Sequence, residues 1–338
     1  MIDRIAIGTI DGAIDLTGAA LLAPMSGITD APFRRLAHRF GAAASVSEMI
    51  SSHDLTNQKP DTMARALAGA PGSRLIVQLA GRQPGQLAEA ARLATDLGAD
   101  IIDINMGCPA KKVTGGLSGS ALMREPDRAL ALIDAVVAAT PVPVTVKMRL
   151  GWCDASRNAS QLARRAEAAG VAMIAVHGRT RMQFYRGRAD WAAIAQVVEA
   201  VDIPVLANGD LTGFADARAM LGASGAAGVM VGRGALGRPW FVGQVSEFLK
   251  TGTPGQEPAP ALMADIVSAH YDDMLRHYGR RRGARCARKH LGWYVARTGL
   301  DEATKTAWRR RLCTEADTGR MNGLIGDFYA MVGEARAA

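Results

Sequence analysis

The sequence lacks the features that mark membrane, secreted and metal-binding proteins. It has no uninterrupted apolar stretch near the roughly 20 residues that a helix needs to span a bilayer. Its start, "MIDRIAIGTIDGAIDLTG", carries three acids and only short apolar runs, so we expect no signal peptide. The four cysteines are scattered without a close pair, which argues against a zinc site and against a disulfide framework. We therefore expect a cytoplasmic protein with no membrane contact and no bound metal ion.

Aromatic residues are scarce as well, at 5% of the 338 residues, but hydrophobic residues in total make up 49%. A chain of this length and composition can bury a sizeable core, and it suits one large domain with a smaller one. The 37 glycines and the abundant alanine indicate short turns and closely packed helices.

Eight short apolar runs recur along the first 234 residues, each bounded by glycine, proline or polar residues. They read "ALLAPMSG", "AASVSEM", "RLIVQLAG", "ADIIDINMG", "VPVTVKMRLG", "VAMIAVHGRT", "IPVLANGD" and "AAGVMVGRG". Continuous runs of Val, Ile and Leu are typical of parallel strands that are buried on both faces. Alanine-rich helical segments lie between them, for example at residues 84–97, 127–139 and 159–169. The pattern predicts an α/β fold, a (β/α)8 TIM barrel rather than an open doubly wound sheet.

One residue near the end of each predicted strand is a candidate for the barrel mouth. These eight residues are Pro24, Glu48, Gln78, Asn105, Lys147, His177, Asn208 and Gly232. In a TIM barrel all the carboxyl ends of the strands surround one mouth, where barrel enzymes place their active sites. Polar side chains directly after hydrophobic runs favour an active site over the alternative that these residues only keep the loops hydrated.

The last two strand ends, "ANGDLTG" and "MVGRGALGRPW", indicate a phosphate site. Gly209 and Gly232 would expose backbone N–H groups, and Arg233 adds a positive charge. A lysine at the position of Lys147 would stabilise the negative charge of a reduced flavin, and Gln78 can pair with an imide edge. This set of residues favours FMN as the cofactor.

The net charge of +8 is concentrated towards the carboxyl terminus. We expect the barrel to occupy residues 1–250, a Pro- and Gly-rich linker 251–260, and a small all-helical domain 261–338. The basic block, residues 276–297, holds eight Lys or Arg residues and no acid. A solvated helix face would explain the charge, but five interleaved rings offer stacking surfaces for bases and favour nucleic acid. These rings are His277, Tyr278, His290, Trp293 and Tyr294.

Six segments, in this order along the chain, resemble the tRNA-dihydrouridine synthase family. They are "APMSGITDAPFR", "NMGCPAKKV" with "GSALM", "KMRLGW", "HGRTR", "ANGD" and "GRGALGRPW". The likeness runs from about residue 21 to residue 241, and "GCPAKKV" with the "GW…RN" spacing of residues 151–158 is most similar to the bacterial B-type branch. The resemblance implies a flavin enzyme with a carboxyl-terminal helical domain, tRNA as its partner, and NADPH or NADH as reductant. A monomer suffices for this activity.

The resemblance also implies roles for individual residues. FMN-binding residues would be Pro24, Met25, Ser26, Gln78, Lys147, His177, Asn208, Gly209, Asp210, Gly232 and Arg233. Ser26 stands where many relatives have alanine, and its backbone can serve equally well. Asn105 would face the substrate uracil, while Arg179 and Arg181 would lie near the RNA.

Cys108, in "DINMGCPAKKVTGG", is the predicted catalytic residue. Reduction of uracil needs a hydride at C6, which reduced flavin supplies, and a proton at C5. A thiol with an ordinary pKa of about 8.5 is mostly protonated at neutral pH and can give that proton. The family assigns this role to the matching cysteine. An inert thiol is the alternative, and it is the interpretation we adopt for Cys153, Cys286 and Cys313.

Two other functions remain open from the sequence. An FMN barrel acting on a free pyrimidine or an enone would use the same flavin ligands and the same cysteine. A protein that binds tRNA without chemistry would use only the basic block. The B-type resemblance favours a uridine in the D-loop of tRNA, and Lys111 and Lys112 are candidates to hold the backbone near it.

Overall fold

The computed structural model describes residues 4–9, 12–66 and 74–337. The chain divides into two compact units. The first comprises Met1–Gly234 and Val242–Pro254, and the second Ala235–Phe241 and Gly255–Ala338.

Within the described part of the chain, eight parallel strands close into a barrel, and the predicted TIM-barrel fold is confirmed. They are β3 (Ala20–Leu22), β4 (Ala44–Val46), β6 (Leu75–Ala80), β7 (Ile101–Met106), β8 (Val144–Arg149), β9 (Met173–His177), β10 (Val205–Asn208) and β11 (Gly228–Val231). Pairing of β3 with β11 and of β4 with β6 completes the ring. A two-residue strand, β5 (Ile50–Ser51), also pairs with β6. All eight barrel strands fall within the runs that predicted them.

An antiparallel hairpin precedes the barrel, formed by β1 (Arg4–Thr9) and β2 (Gly12–Thr17). Ile5, Ile7 and Leu16 are buried in one cluster with Leu21 and Leu206, which lie early in their strands. The hairpin therefore covers the amino-terminal end of the barrel core. It was not predicted, because its apolar residues alternate with exposed ones instead of forming a continuous run.

Helices follow the strands of the first unit. They are α1 (Ala31–Arg39), α2 (Ser52–Thr56), α3 (Pro60–Ala66), α4 (Pro84–Asp96), α5 (Lys111–Thr114), α6 (Pro126–Val137), α7 (Ala159–Ala168), α8 (Ala192–Val198), α9 (Phe214–Ser224) and α10 (Phe241–Thr251). Short 3-10 turns lie at Gly119–Arg124, Asp154–Ser156 and Arg233–Ala235. The side chain of Asp30 caps α1 by accepting a hydrogen bond from the Phe33 N–H. Alanine-rich faces let the helices pack closely on the barrel.

The second unit contains four long helices, as the all-helical prediction for this part of the chain requires. They are α11 (Pro260–Tyr278), α12 (Arg280–Ala296), α13 (Glu302–Thr314) and α14 (Met321–Ala337). Gly279 joins α11 to α12 with a φ of +77°, a left-handed conformation that suits glycine. Pro260 begins α11, where its missing N–H costs nothing.

Candidate active site

The strand register places the predicted site residues together at the carboxyl end of the barrel. Gln78 pairs with Asp103, and Asn105 pairs with Lys147 one strand further round. His177 lies opposite Arg149 on one side and Asn208 on the other. Polar side chains of five neighbouring strands therefore meet at one mouth.

A network of buried polar groups links the third, fourth and fifth barrel strands. The Gln78 Nε2 donates to Asp103 Oδ2 at 2.7 Å, and the Asn105 Nδ2 donates to Gln78 Oε1 at 2.7 Å. Thr145 Oγ1 donates to the other oxygen of Asp103 at 2.6 Å. Burial raises the pKa of Asp103 to about 6, although these hydrogen bonds oppose the shift. The network fixes both amide planes, and each amide keeps a further N–H to donate.

Cys108 lies on the loop after β7, and its main chain is held on both sides. The backbone N–H groups of Gly107 and Cys108 both donate to Asn105 Oδ1, at 3.2 and 3.0 Å. On the other side, the Ser120 hydroxyl donates to the Cys108 carbonyl at 2.8 Å. Gly119 adopts a φ of +59°, and a Cβ there would lie 2.9 Å from the same carbonyl oxygen. The half-buried free thiol thus stands on a fixed loop beside Asn105.

Lys147 is buried at the mouth, and its pKa is lowered. Its Nζ donates to Asn208 Oδ1 at 3.0 Å, and Asn208 in turn donates to the Met230 carbonyl at 2.7 Å. Burial lowers the pKa of Lys147 to about 8, helped by the charge of Arg149 and opposed by Asp103 and Cys108. An ammonium has three N–H donors, so Lys147 retains donors for a ligand.

His177 is neutral in this environment. Burial lowers the pKa of His177 well below its ordinary value, and the charges of Lys147, Arg149, Arg179 and Arg233 add to the effect. Its Nε2 lies 3.3 Å from the Nη1 of Arg179, a donor, so Nε2 acts as the acceptor.

Asp210 holds two arginines. Arg179, which is 1% exposed, donates to both carboxylate oxygens at 2.9 and 2.5 Å. Arg233 donates to Asp210 Oδ1 at 3.2 Å, with about half of its side chain still exposed. Burial raises the pKa of Asp210, but the hydrogen bonds and charges of the arginines outweigh it and the net pKa is lowered. Asp210 therefore orients Arg233 towards solvent, and Arg179 is enclosed by protein.

The carboxyl end of β3, the first barrel strand, lies beside that of β11, the last. Pro24 and Met25 are half-buried and Ser26 is exposed. A Cβ built on Gly232 would lie 3.8 Å from Met25 Sδ, in ordinary contact. Glu48 accepts a hydrogen bond from the Gly27 N–H at 2.5 Å and so fixes the turn after β3. Gly209, at a φ of +122°, fits against His177, where a Cβ would lie 2.9 Å from its ring.

Arg149 is a buried site residue that sequence reasoning missed. Its Nε donates to the Gly107 carbonyl at 2.7 Å, and its Nη1 donates to the carbonyls of Thr180 and Phe184 at 3.0 and 2.8 Å. It therefore ties the Cys108 loop to the loop after β9. The signal was present in "KMRLGW", because Arg149 follows Lys147 by two residues and so shares its face of the strand. Asp103 was missed in the same way, two residues before Asn105.

The loop after β9 carries two residues of interest. The Arg181 guanidinium lies over the rings of Trp152 and Phe184, at 4.7 and 4.6 Å from their centroids. Tyr185, which the sequence analysis did not select, is 51% exposed and lies near the rings and cations of the mouth. Its ring centroid is 6.2 Å from that of His177 and 4.9 Å from the Arg233 guanidinium carbon.

In the helical unit, the basic block is only partly what the sequence predicted. Arg280, Arg281, Arg285 and Arg288 are exposed on α12. The prediction that His290 and Tyr294 offer stacking surfaces is wrong, because both are buried among the helices at 2% exposure. They belong to the same face of α12 as Ala287 and Leu291, which packs into the unit, while the arginines occupy the opposite face. Trp293, His277 and Tyr278 are half-buried.

No helix among the described residues is long and apolar enough to cross a membrane. The described ranges also contain no cluster of three or more His, Cys, Asp or Glu side chains able to hold a metal ion.

The sequence is similar to those of a known protein family. The model of the family described as "Dihydrouridine synthase" matches residues 21–323. The chain is 58% identical over 322 residues to a "Probable tRNA-dihydrouridine synthase" of Rhodobacter capsulatus, covering 94% of this chain and 97% of that protein. It is 48% identical over 286 residues to a "tRNA-dihydrouridine synthase B" of Xanthomonas axonopodis pv. citri, covering 84% and 86%.

Among solved structures, the chain is similar to an old yellow enzyme homologue from Zymomonas mobilis. The TM-score is 0.52 at 14% identity, with 76% of this chain and 94% of that chain covered. A 6-hydroxypseudooxynicotine amine oxidase from Pseudomonas geniculata gives a TM-score of 0.57 at 12% identity, with 79% and 52% covered. At these identities the likeness concerns the fold alone.

Proposed function

The chain belongs to the dihydrouridine synthase family, and we propose that it reduces the C5–C6 double bond of a uridine in tRNA to give 5,6-dihydrouridine. The observation that carries the proposal is the position of Cys108. Its thiol lies on a fixed loop at the mouth of the barrel, within the electrostatic reach of Lys147 and Arg149. This position supports a role for Cys108 as proton donor beside the residues that we propose as cofactor ligands.

The mouth fits FMN, the flavin that we propose as cofactor. Lys147, neutral His177 and the Gln78 amide are donors and acceptors suited to the ring system. Asn208 holds Lys147, and Pro24, Met25 and Ser26 would line the first strand end. Gly209, Gly232 and Arg233, oriented by Asp210, would hold the phosphate. Reduced FMN, when bound, supplies a hydride equivalent to C6 of the pyrimidine, and we propose NADPH or NADH as its reductant.

The remaining steps belong to residues of this chain. Asn105 is anchored to Gln78 and to the Cys108 loop, and its remaining amide N–H can orient the substrate uracil. As negative charge builds on the carbonyl side of the pyrimidine, the Cys108 thiol gives its proton to C5. The thiolate then recovers a proton from solvent. The positive charge of Lys147 would stabilise the negative charge of the reduced flavin.

The target base must leave its stack to reach this mouth, so a loop uridine is the substrate that we propose, with the D-loop favoured by the B-type resemblance. The exposed arginines of α12 would grip the tRNA backbone, and Lys111 and Lys112, both exposed, would hold it near the target. We propose that Arg181 lies near the RNA and that Arg179 acts through Asp210. A cytoplasmic monomer meets these requirements.

The proposal is tested with the purified protein and unmodified tRNA transcripts. We expect a yellow protein that NADPH bleaches anaerobically and that then forms dihydrouridine, mapped by mass spectrometry of nuclease fragments of the tRNA. Activity on free uracil, dihydroorotate or an enone, with none on tRNA, would instead establish an FMN barrel with a small-molecule substrate. A colourless protein that binds tRNA would leave only the binding function.

The rate of uridine reduction should fall on the alkaline side as Lys147 loses its proton. Because burial lowers the pKa of Lys147 to about 8, the ammonium is present below that pH and is lost as the pH rises through it. Single-turnover rates measured between pH 6 and pH 10 are expected to decline about tenfold per pH unit above this pKa.

The Lys147→Arg variant provides the control, because a guanidinium stays charged over the whole range. Its overall rate is expected to be lower and its alkaline decline less steep than that of the wild type, because only the loss of the general acid's proton remains at high pH. An unchanged decline in this variant would assign the titration to another group.

The exposed arginines of α12 should carry a salt-dependent share of tRNA affinity. We expect the double variant Arg285→Gln, Arg288→Gln to reduce the slope of log K against log salt by roughly 1.4 to 1.8, at two phosphate contacts. Filter binding of tRNA between 50 and 300 mM salt measures this. The matched double variant Arg92→Gln, Arg164→Gln, exposed on α4 and α7, should leave the slope unchanged. If both double variants kept the wild-type slope, Arg285 and Arg288 would be excluded from the tRNA interface.

A further inference from the structure

Two of the loops at the carboxyl ends of the barrel strands carry exposed apolar side chains. Four large hydrophobic side chains are exposed in the described ranges, and Leu117, Met182 and Tyr185 are three of them. Leu117 lies on the Cys108 loop after β7, and Met182 and Tyr185 lie on the loop after β9. Exposed large apolar side chains beside a candidate active site indicate a surface that binds a ligand or partner.

Positive charge surrounds Tyr185, which is the most exposed of these residues. The guanidinium carbons of Arg233 and Arg149 lie 4.9 and 5.5 Å from its ring centroid. Arg186 and Arg188 follow on the same loop and are exposed. An exposed ring among arginines is complementary to a nucleotide, since the ring stacks on the base and the guanidinium groups attract the phosphates.

The backbone directly before Tyr185 is also fixed. Phe184 adopts a φ of +52°, which is strained for a bulky residue. Two contacts maintain this backbone conformation. The Phe184 carbonyl accepts a hydrogen bond from Arg149 at 2.8 Å, and the Phe184 ring lies under the Arg181 guanidinium. Strain that is kept at an active-site mouth indicates a side chain positioned for function.

The same guanidinium fixes Tyr185 relative to Cys108. Arg149 donates to the carbonyl of Gly107, directly before Cys108, and to the carbonyl of Phe184, directly before Tyr185. The two loops therefore share one buried support. A base at the cysteine and a base at the tyrosine would be neighbours along one strand.

We propose that Tyr185 is the stacking surface for the nucleotide next to the target uridine. The inference rests on the proposed function. When the uridine leaves its stack, its neighbour loses one stacking partner, and the exposed ring of Tyr185 replaces that partner. The replacement lowers the cost of extruding the uridine and favours loop sequences that can bring a second base to this ring.

The test compares the Tyr185→Leu and Tyr185→Phe variants of the flavin-loaded protein. Leucine keeps apolar volume and removes the ring, whereas phenylalanine keeps the ring. We expect kcat/KM for tRNA to fall about 10- to 100-fold in the leucine variant, the range of base–aromatic stacking. The phenylalanine variant should stay within about twofold of the wild type. Flavin content and the rate of flavin reduction by NADPH should not change in either.

A direct readout uses tRNA with 2-aminopurine in place of the nucleotide beside the mapped dihydrouridine position. Bound to wild type or to Tyr185→Phe, the probe should stay quenched by stacking, and bound to Tyr185→Leu it should brighten. Unchanged kcat/KM and unchanged quenching in the leucine variant would overturn this inference, while dihydrouridine formation by the wild type would still stand. Loss of flavin or slowed reduction in that variant would overturn it too, by making the ring a cover for the cofactor. Absence of dihydrouridine with the wild type would instead overturn the proposed function.

Discussion

Replacement of Cys108 with alanine is expected to lower the single-turnover rate of dihydrouridine formation by about 10²- to 10⁴-fold, the usual contribution of a positioned general acid. The substitution removes the proposed proton donor without disturbing its loop, because the main chain of Cys108 is held by hydrogen bonds to Asn105 and Ser120. Flavin content, the rate of flavin reduction by NADPH and tRNA affinity are expected to remain at wild-type levels. Rapid quench with mass spectrometry of the tRNA measures the rate.

Cys153→Ala is the matched control for this prediction. That thiol is half-buried on the loop after β8 and lies 3.1 Å from the hydroxyl of Ser156. The Cys153→Ala variant should retain full activity. In a deletion strain, complementation with wild type should restore dihydrouridine and complementation with Cys108→Ala should not. Full restoration by the alanine variant would show that another group supplies the proton.

Replacement of Arg149 with methionine is expected to lower both stability and activity. The change leaves three carbonyl oxygens, those of Gly107, Thr180 and Phe184, without their charged donor. Hydrogen bonds to charged groups contribute about 1.5 to 3 kcal/mol each, and the guanidinium's own burial penalty disappears with it. We therefore expect the free energy of unfolding to fall by about 3 kcal/mol in denaturant titrations. Turnover should fall by more than tenfold, because the Cys108 loop loses its support.

The Arg149→Lys variant separates charge from geometry. A lysine supplies positive charge but not the planar fork that reaches three carbonyls, so it should restore little of either quantity. Burial lowers the pKa of Arg149 to about 10, which still leaves it charged at neutral pH. If the methionine variant unfolds at the wild-type denaturant concentration, the three hydrogen bonds are not what holds the mouth together.

The barrel was predictable because burial on both faces leaves a strong local signal. A strand such as Gly228–Val231 is buried and apolar along its whole length, and a run of this kind ends where the chain reaches the polar mouth. The hairpin at Arg4–Thr9 left a weaker signal, since only one of its faces is buried. Residues such as Gln78, Lys147 and His177 could be selected because each follows such a run directly.

Charged residues within the strands escaped sequence reasoning. Asp103 and Arg149 lie inside strands, where a charged residue gives no indication of its partners. Glu48 was selected with the mouth residues, yet its contact is the turn at Gly27. Rings of the basic block were misassigned for a related reason. A helix places His290 and Tyr294 on one face and the arginines on the other, and which face is buried depends on α11.

The order of strands, the kinds of side chain at their ends and the excess of positive charge were determined by the sequence itself. Hydrophobic periodicity is local, so neighbouring residues are enough to define it. Which of those side chains touch a ligand and which support a neighbour was decided only in the tertiary structure. Arg179 and Arg233 carry the same charge and both pair with Asp210, but the side chain of Arg179 is enclosed and that of Arg233 is half exposed. Such roles depend on distances between residues far apart in the chain, and no local pattern encodes them.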